Sequence, residues 1–293
     1  MFRNPYLQLH LCVLLWGFTA ILGKLITLAA IPLVFWRVVI VSLCLCLWRP
    51  AWRQLAGLAR RDVWLAAGNG IVITVHWLCF YGAIKLANAS VAATCLALAP
   101  VFLALLEPLL LRQAFAGKTL RDLLVAVVAL PGVALVVGGI PPGMVGGFAL
   151  GALAALLAAL FSGINKGLAV RMPALALTLV QMSTGALLLG LLIPLWPLLG
   201  VEFTWPQRAD LGWLLILALV CTLAPFMLLV MVLRKVSTMT VQLAVNLEPV
   251  YAIALAALLL GEGADLRWPF YAGVALILGA VLGHAVVHRR GAA

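Results

Sequence analysis

The chain has 293 residues, of which 66% are hydrophobic and only 9% are charged. Because a soluble domain carries about 25% charged residues, this composition excludes an ordinary soluble fold. The net charge of +11 would suit a nucleic-acid ligand, but the basic residues form small clusters between apolar runs, which is typical of membrane topology. The six cysteines lie within apolar runs without CxxC spacing, which indicates no metal site.

Ten apolar segments follow one another along the chain. A bilayer-spanning helix needs about 20 residues, and ten such helices with short links use up the whole length. The first segment follows Arg3 as in a signal peptide, but no A-x-A-like cleavage site closes it and Lys24 comes directly after it, which favours a membrane helix. The predicted helices are 7–28, 32–48, 63–84, 88–111, 121–139, 146–166, 173–195, 209–232, 237–260 and 268–288.

The basic residues predict the orientation of these helices, because cytoplasmic loops carry an excess of lysine and arginine. With the N-terminus inside, 14 of the 19 basic residues fall on the inner side, and the outer side receives only Lys24, Lys85, Arg208 and Arg267. We therefore expect a multi-pass protein of a bacterial inner (plasma) membrane, with both termini in the cytoplasm.

The two halves of the chain, 1–140 and 145–290, share landmarks. The shared residues lie 141 to 150 positions apart and are Gly-Val-Ala-Leu at 132–135 and 273–276, Pro32 and Pro173, Pro100 and Pro249, and Lys85 and Lys235. Each half would hold five helices, and because five is odd, the halves must lie in the membrane with opposite orientations. Inverted repeats are typical of secondary transporters, with the substrate site near the midplane between the repeats. The predicted fold is thus an all-α integral membrane protein of ten transmembrane helices in two inverted five-helix repeats.

Several of the predicted helices carry short motifs that are similar to those of one known family. These motifs are Trp16-Gly17 followed by Lys24, Pro32 followed by Trp36-Arg37, Ser90-Val91-Ala92 leading to Pro100, and Asn246-Leu247-Glu248-Pro249 followed by Leu260-Gly261-Glu262. In register, they resemble the EamA-type members of the drug/metabolite transporter superfamily. The resemblance implies ten helices, no obligatory cofactor, and transport of small metabolites, often the export of amino acids or related compounds. The chain departs from the family at Arg112-Gln113, where Gly-Glu is frequent.

Four ionisable residues interrupt the predicted spans: Arg37, His76, Glu107 and Glu248. Such groups cost roughly 3 kcal/mol or more at a helix centre and usually face a cavity or a partner. When the repeats are aligned on their shared lysines and prolines, neither His76, Trp77 and Tyr81 nor the two glutamates recur in the other copy. Scaffold residues should tend to recur, so we expect these to serve a substrate.

Several roles are open for the helix that carries His76. Its imidazole could bind a substrate carboxylate or a proton, or it could pack against a neighbouring helix. Trp77 and Tyr81 lie four residues apart on one helix face, and with His76 beside them they predict one broad surface for an aromatic ring or a cation. The alternative is ordinary helix packing. Trp16, Trp36 and Asn246 complete the predicted substrate-binding set.

The charged candidates also have two interpretations. Glu248 and Glu107 are predicted to bind protons in a coupled cycle, but Glu107 could instead snorkel to the inner interface, and Glu248 could be a structural partner of Arg37. Arg37 could itself bind an anionic group bidentately. Proline frees a backbone carbonyl one turn earlier, so Pro100 and Pro249 are predicted hinges.

The preferred function is a secondary transporter that moves a small metabolite, either an amino acid or an aromatic or amphipathic compound, mainly outward, by alternating access. The alternatives are a transporter of a cationic or sugar-linked metabolite and a non-transporting membrane protein, either a lipid-acting enzyme or a partner subunit. No hydrolase, zinc-protease or P-loop motif occurs in the sequence, so we do not expect an enzyme. The expected partners are the substrate, the bilayer and protons, with a homodimer left open and with no nucleic acid, cofactor or metal.

Overall fold

The structure is a computed structural model that describes residues 4–99, 101–103, 105–106, 131–233, 244–245, 247–264 and 266–290. Within these residues every regular element is helical. The α-helices are α1 Pro5–Leu25, α2 Ala30–Leu47, α3 Arg49–Leu55, α4 Arg60–Leu86, α5 Ala89–Leu96, α6 131–139, α7 Val145–Ala169, α8 Ala174–Leu191, α9 Arg208–Leu215, α10 Ala224–Leu233, α11 Glu248–Leu260 and α12 Trp268–Arg290.

Six helical segments of the described residues are long and apolar enough to cross a membrane: Pro5–Leu25, Ala30–Leu47, Arg60–Leu86, Pro142–Ala169, Ala174–Leu191 and Arg208–Leu229. They correspond to six of the predicted spans with ends shifted by a few residues. Hydropathy alone therefore locates these helices, because a spanning helix must be apolar along its whole length.

Three local predictions were wrong. The fourth predicted helix, 88–111, is interrupted, since α5 ends at Leu96 and a turn follows at 97–98. The predicted link after residue 48 contains the short helix α3, because Pro50 lies in its first turn, where proline needs no N–H partner. The seventh predicted helix was expected to reach residue 195, but α8 ends at Leu191 and a 3₁₀ segment, Ile193–Leu199, follows. This segment contains Pro194 and Pro197, which cannot donate the hydrogen bonds that an α-helix would need there.

A π-helical segment, Ile216–Leu223, joins α9 to α10 in the middle of an apolar span. Wide turns of this kind are rare and usually occur near functional sites. Pro225 follows the segment directly and has no N–H to donate back to the residue four positions earlier. The π segment therefore lies just ahead of an interruption in the regular α-helical ladder.

The helix contacts between the two halves occur in matching pairs. The contact between α1 and α11 corresponds to the contact between α7 and α5. The contact between α4 and α7 corresponds to that of the π segment and α10 with α1. α2 contacts α8, and α5 contacts α11. Each contact thus has a counterpart when the helices of the first half are equated in order with those of the second.

α6 and α12 also approach each other closely. A Cβ atom added to Gly273 would lie 2.5 Å from the Gly132 carbonyl oxygen, and one added to Gly139 would lie 2.2 Å from the Phe270 nitrogen. Gly132 and Gly273 begin the two Gly-Val-Ala-Leu repeats. The repeated motif is therefore explained by packing, because only glycine allows the two backbones to come so close.

At the predicted outer end, two carboxylates of the second half bind groups of the first half. Asp210 accepts hydrogen bonds from the Thr27 backbone N–H at 2.8 Å and from the Thr27 hydroxyl at 2.6 Å. Glu262, which is buried, accepts from the backbone N–H groups of Ala89 and Ser90 at 3.1 and 2.9 Å and from the Ser90 hydroxyl at 2.8 Å. These N–H groups open α5 and have no partner within the helix, so Glu262 satisfies them.

Candidate functional site

Arg37 lies at the centre of the candidate site. It belongs to α2 and is buried, with 3% of its surface exposed. Its Nε donates a hydrogen bond to Thr222 Oγ1 at 3.0 Å, and its Nη1 donates to the Tyr81 hydroxyl at 2.8 Å. Its guanidinium carbon lies 3.8 Å from the centre of the Trp77 ring, which adds a cation–π contact. Arg37 thus connects α2, α4 and the π segment.

The local backbone explains why these partners converge on the guanidinium. Trp77 and Tyr81 are one turn apart on α4, so both present their rings to the same neighbour. Thr222 lies in the π segment, and its hydroxyl donates to the carbonyl of Leu217, five residues earlier, at 2.7 Å. With its proton engaged in that bond, the hydroxyl is left to accept from Arg37.

The charge of Arg37 has no direct counter-ion among the described residues, where the one ion pair joins Asp62 to Arg171. Glu248 begins α11 and forms no direct ion pair with Arg37. Glu248 is half-buried. A guanidinium offers five N–H donors, and the described contacts engage two of its nitrogens. The remaining guanidinium donors can therefore serve an anionic group, and Glu248 can serve a cationic one.

The sequence predicts one broad face of α4 for His76, Trp77 and Tyr81, but in the structure these side chains contact different neighbours. Trp77 and Tyr81 face Arg37, but His76 faces α7, where its Nδ1 donates to the Ala154 carbonyl at 2.7 Å. The His76 ring lies against Phe161, with ring centres 5.2 Å apart, and it is buried. The prediction that the three side chains share one surface is wrong, because the 100° step between consecutive residues turns His76 toward the next helix.

The two other tryptophans of the predicted set lie apart from each other. The Trp36 indole donates to the Thr204 carbonyl at 3.0 Å and lies in an aromatic cluster with Phe203 and Trp205, near the N-terminal end of α2. Trp16 is partly exposed on α1 and meets Phe226 edge to face, with ring centres 6.2 Å apart. Trp16 therefore stays a candidate for the site, and Trp36 belongs to the aromatic cluster.

Three candidates, Glu107, Asn246 and Pro100, lie outside the described residues. Pro249 is buried in the first turn of α11, which begins at Glu248 after a turn at Leu247. Among the residues the structure describes, no three or more His, Cys, Asp or Glu side chains form a group that could hold a metal ion.

Thr222 and the π segment were missed in the sequence analysis. The available signal was Thr222-Leu223-Ala224-Pro225, a hydroxyl three residues before a proline within an apolar span. A proline inside a membrane helix leaves a carbonyl free, and serine or threonine side chains frequently satisfy the altered backbone nearby. That pattern would have drawn attention to the eighth predicted helix.

The contact between His76 and Ala154 predicts how substitutions should behave. The amide nitrogen of asparagine occupies nearly the position of Nδ1, so we expect His76→Asn to keep the bond to α7 and His76→Ala to lose about 1–3 kcal/mol of stability. Thermal unfolding of the purified variants measures this difference. In a transport assay, we expect His76→Asn to remain active. Loss of transport with unchanged stability would instead show that Nε2 serves the substrate or a proton.

Comparisons with known proteins give the fold and the family. One solved structure, described only as the crystal structure of a protein, is similar over 98% of this chain and 98% of its own, with a TM-score of 0.63 and 19% sequence identity. At that identity the likeness concerns the fold alone. A comparison with curated proteins gives no significant match. The model of the EamA-like transporter family matches residues 4–138 and 146–285, which confirms the resemblance found in the sequence. The chain belongs to the EamA-like transporter family, a family of membrane transporters of small molecules.

Proposed function

We propose that this chain is a secondary transporter of ten helices, built from two inverted five-helix repeats at 1–140 and 145–290. The matching helix contacts between the halves and the crossing of the two Gly-Val-Ala-Leu motifs support this arrangement. It works by alternating access in a bacterial inner membrane, with both termini in the cytoplasm. The charge bias of the loops supports that orientation.

The observation that carries the substrate proposal is the buried Arg37, which has neutral hydrogen-bond partners and no described ion pair. A buried charge is costly unless it is paired, so the site is completed by a ligand that brings a negative group. A carboxylate matches the fork of a guanidinium and can accept two parallel hydrogen bonds from it.

Glu248 and the aromatic rings specify the rest of the ligand. The half-buried Glu248, an acid at the start of α11, suits an ammonium group. Trp16, which is partly exposed on α1, offers a ring surface, whereas the Trp77 ring is covered by the Arg37 guanidinium. Together these groups fit an amino acid, and an aromatic amino acid is the first candidate. We propose that the protein moves it mainly outward. A purely cationic substrate fits less well, because Arg37 would repel it.

Three related compounds test this proposal: tryptophan, tryptamine, which lacks the carboxylate, and indole-3-propionate, which lacks the ammonium group. We expect tryptophan to raise the thermal unfolding temperature of the purified protein most strongly, since a ligand at about 100 times its Kd adds about 2.7 kcal/mol of stability. Each analogue should stabilise less, because it leaves Arg37 or Glu248 unpaired.

The same three compounds should compete with labelled tryptophan in proteoliposome counterflow in the same order. Equal effects of tryptamine and tryptophan would contradict the assignment of Arg37. If no amino acid stabilises the protein or supports counterflow, the substrate class is wrong.

A further inference from the structure

A groove at the surface of the protein lies apart from the site around Arg37. It has a volume of about 260 Å³ and lies between α3, the first turns of α4 and the middle of α8. Its lining is mainly apolar and includes Trp52, Leu55, Val63, Trp64, Ala67 and Leu187, with the hydroxyl residues Ser183 and Thr184 on the α8 side. We propose that this groove, called here the α3–α4 groove, holds an acyl chain of an anionic phospholipid, with the phosphate bound by Arg49 and Arg60.

The walls of the groove are suited to a chain from the bilayer. Trp64 is 77% exposed and Trp52 is 51% exposed, although both line the groove. The Trp52 indole N–H donates to the Cys46 carbonyl at 2.7 Å, which holds this ring at the groove with its polar atom already satisfied. Tryptophan is favoured at the level of lipid headgroups, so the two rings mark the depth of the membrane interface.

Two arginines lie one turn beyond the lining residues. Arg49 precedes Trp52 by three positions on α3, and Arg60 precedes Val63 and Trp64 by three and four positions on α4. Residues at these spacings lie on the same helix face. Both arginines are exposed, and in the described part of the chain neither makes an ion pair. They place positive charge over the mouth of an apolar groove.

The nearest described acid does not neutralise this charge. Asp62 is engaged by Arg171, with its Oδ1 3.3 Å from the Arg171 Nε. Arg53 and Arg61 add two more exposed positive charges to the same short segment. Basic pockets between membrane helices bind anionic headgroups, and each basic residue near the surface contributes measurably. Charge complementarity therefore selects an anionic lipid over a zwitterionic one.

Tryptophan quenching by brominated lipids tests the proposal. The purified protein is reconstituted in phosphatidylcholine vesicles that contain a small fraction of either dibrominated phosphatidylglycerol or dibrominated phosphatidylcholine. The Trp64 signal is the difference between the parent and Trp64→Phe. We expect phosphatidylglycerol to quench this signal at a roughly 25-fold lower mole fraction than phosphatidylcholine, about fivefold for each arginine. Added salt should reduce the preference, because it screens exposed charges.

Matched variants separate this site from general attraction to the surface. Arg49→Gln/Arg60→Gln should abolish the preference, and Arg208→Gln/Arg267→Gln, which removes two exposed arginines at the opposite end, should keep it. Ala67→Phe fills the groove and should weaken quenching by both lipids. Circular dichroism verifies that each variant is folded.

Three outcomes would overturn the proposal. The first is equal quenching of the parent by the two lipids. The second is an equal loss of preference in the two arginine pairs. The third is no quenching by either lipid, which would show that another protein surface, such as a second copy of the chain, covers the groove.

Discussion

Arg37→Gln is expected to lower the initial rate of substrate counterflow by about 100-fold, since each hydrogen bond to a charged group contributes about 1.5–3 kcal/mol. The same variant should unfold at a temperature no lower than that of the parent. Its described hydrogen-bond partners, Tyr81 and Thr222, are neutral, so the substitution removes a buried charge without leaving an opposite charge unpaired in direct contact with it. Arg37→Gln should therefore lower the transport rate without lowering the unfolding temperature.

Two further variants at the same place sharpen this result. Arg37→Lys keeps the charge but loses the planar fork, so we expect transport between that of the parent and that of Arg37→Gln. Thr222→Val removes one hydrogen-bond acceptor and should reduce transport about tenfold, as one lost interaction of this kind would. If Arg37→Gln transports at the parent rate, or if it unfolds far below the parent, Arg37 holds the helices together and does not bind substrate.

Gly139→Ala should destabilise the protein by about 3 kcal/mol, at the upper end of the usual cost of overpacking. Its new methyl group would lie 2.2 Å from the Phe270 nitrogen and 2.7 Å from the Phe270 Cα. Both atoms are backbone, so no side chain can rotate away, and α6 would have to separate from α12. The temperature at which the purified protein unfolds or loses its monodisperse state measures the effect.

The adjacent glycine provides the control for that experiment. A Cβ atom on Gly138 would meet nothing within 4 Å, so Gly138→Ala should leave the unfolding temperature unchanged or slightly raised. Equal destabilisation by the two substitutions would show that glycine is needed here for its backbone freedom rather than for close packing.

Hydropathy was sufficient to locate the long helices, because the bilayer requires an uninterrupted apolar run. α4, predicted at 63–84, occupies Arg60–Leu86. The short helix α3 was missed because its Pro50 suggests a break, whereas proline is also a favourable residue in a first helical turn. The repeated Gly-Val-Ala-Leu motif was recognised as a sign of two copies, but its contact across α6 and α12 depends on how the copies meet in space.

The candidate site was predictable only in part. Arg37, Trp77 and Tyr81 were recognised as polar or aromatic interruptions of apolar helices, but their convergence joins residues 44 positions apart and could not be inferred from spacing. His76 points to a different neighbour from Trp77 because consecutive residues of a helix are 100° apart. The sequence shows this angle, but it does not show which neighbouring helix lies on each side of α4. The π segment could not be predicted from periodicity, because its composition is the same apolar mixture as that of the helices beside it.

The carboxylate of Glu262 has a consequence for the synthesis of the protein. It caps α5 through Ser90, which lies 172 residues earlier in the chain. At a synthesis rate of about 5–20 residues per second, α5 leaves the ribosome roughly 9–34 s before its cap exists. During that interval the N–H groups of Ala89 and Ser90 need water, lipid headgroups or the insertion machinery as partners. The first half therefore enters the membrane unfinished, and its last polar groups are satisfied only when the second half arrives.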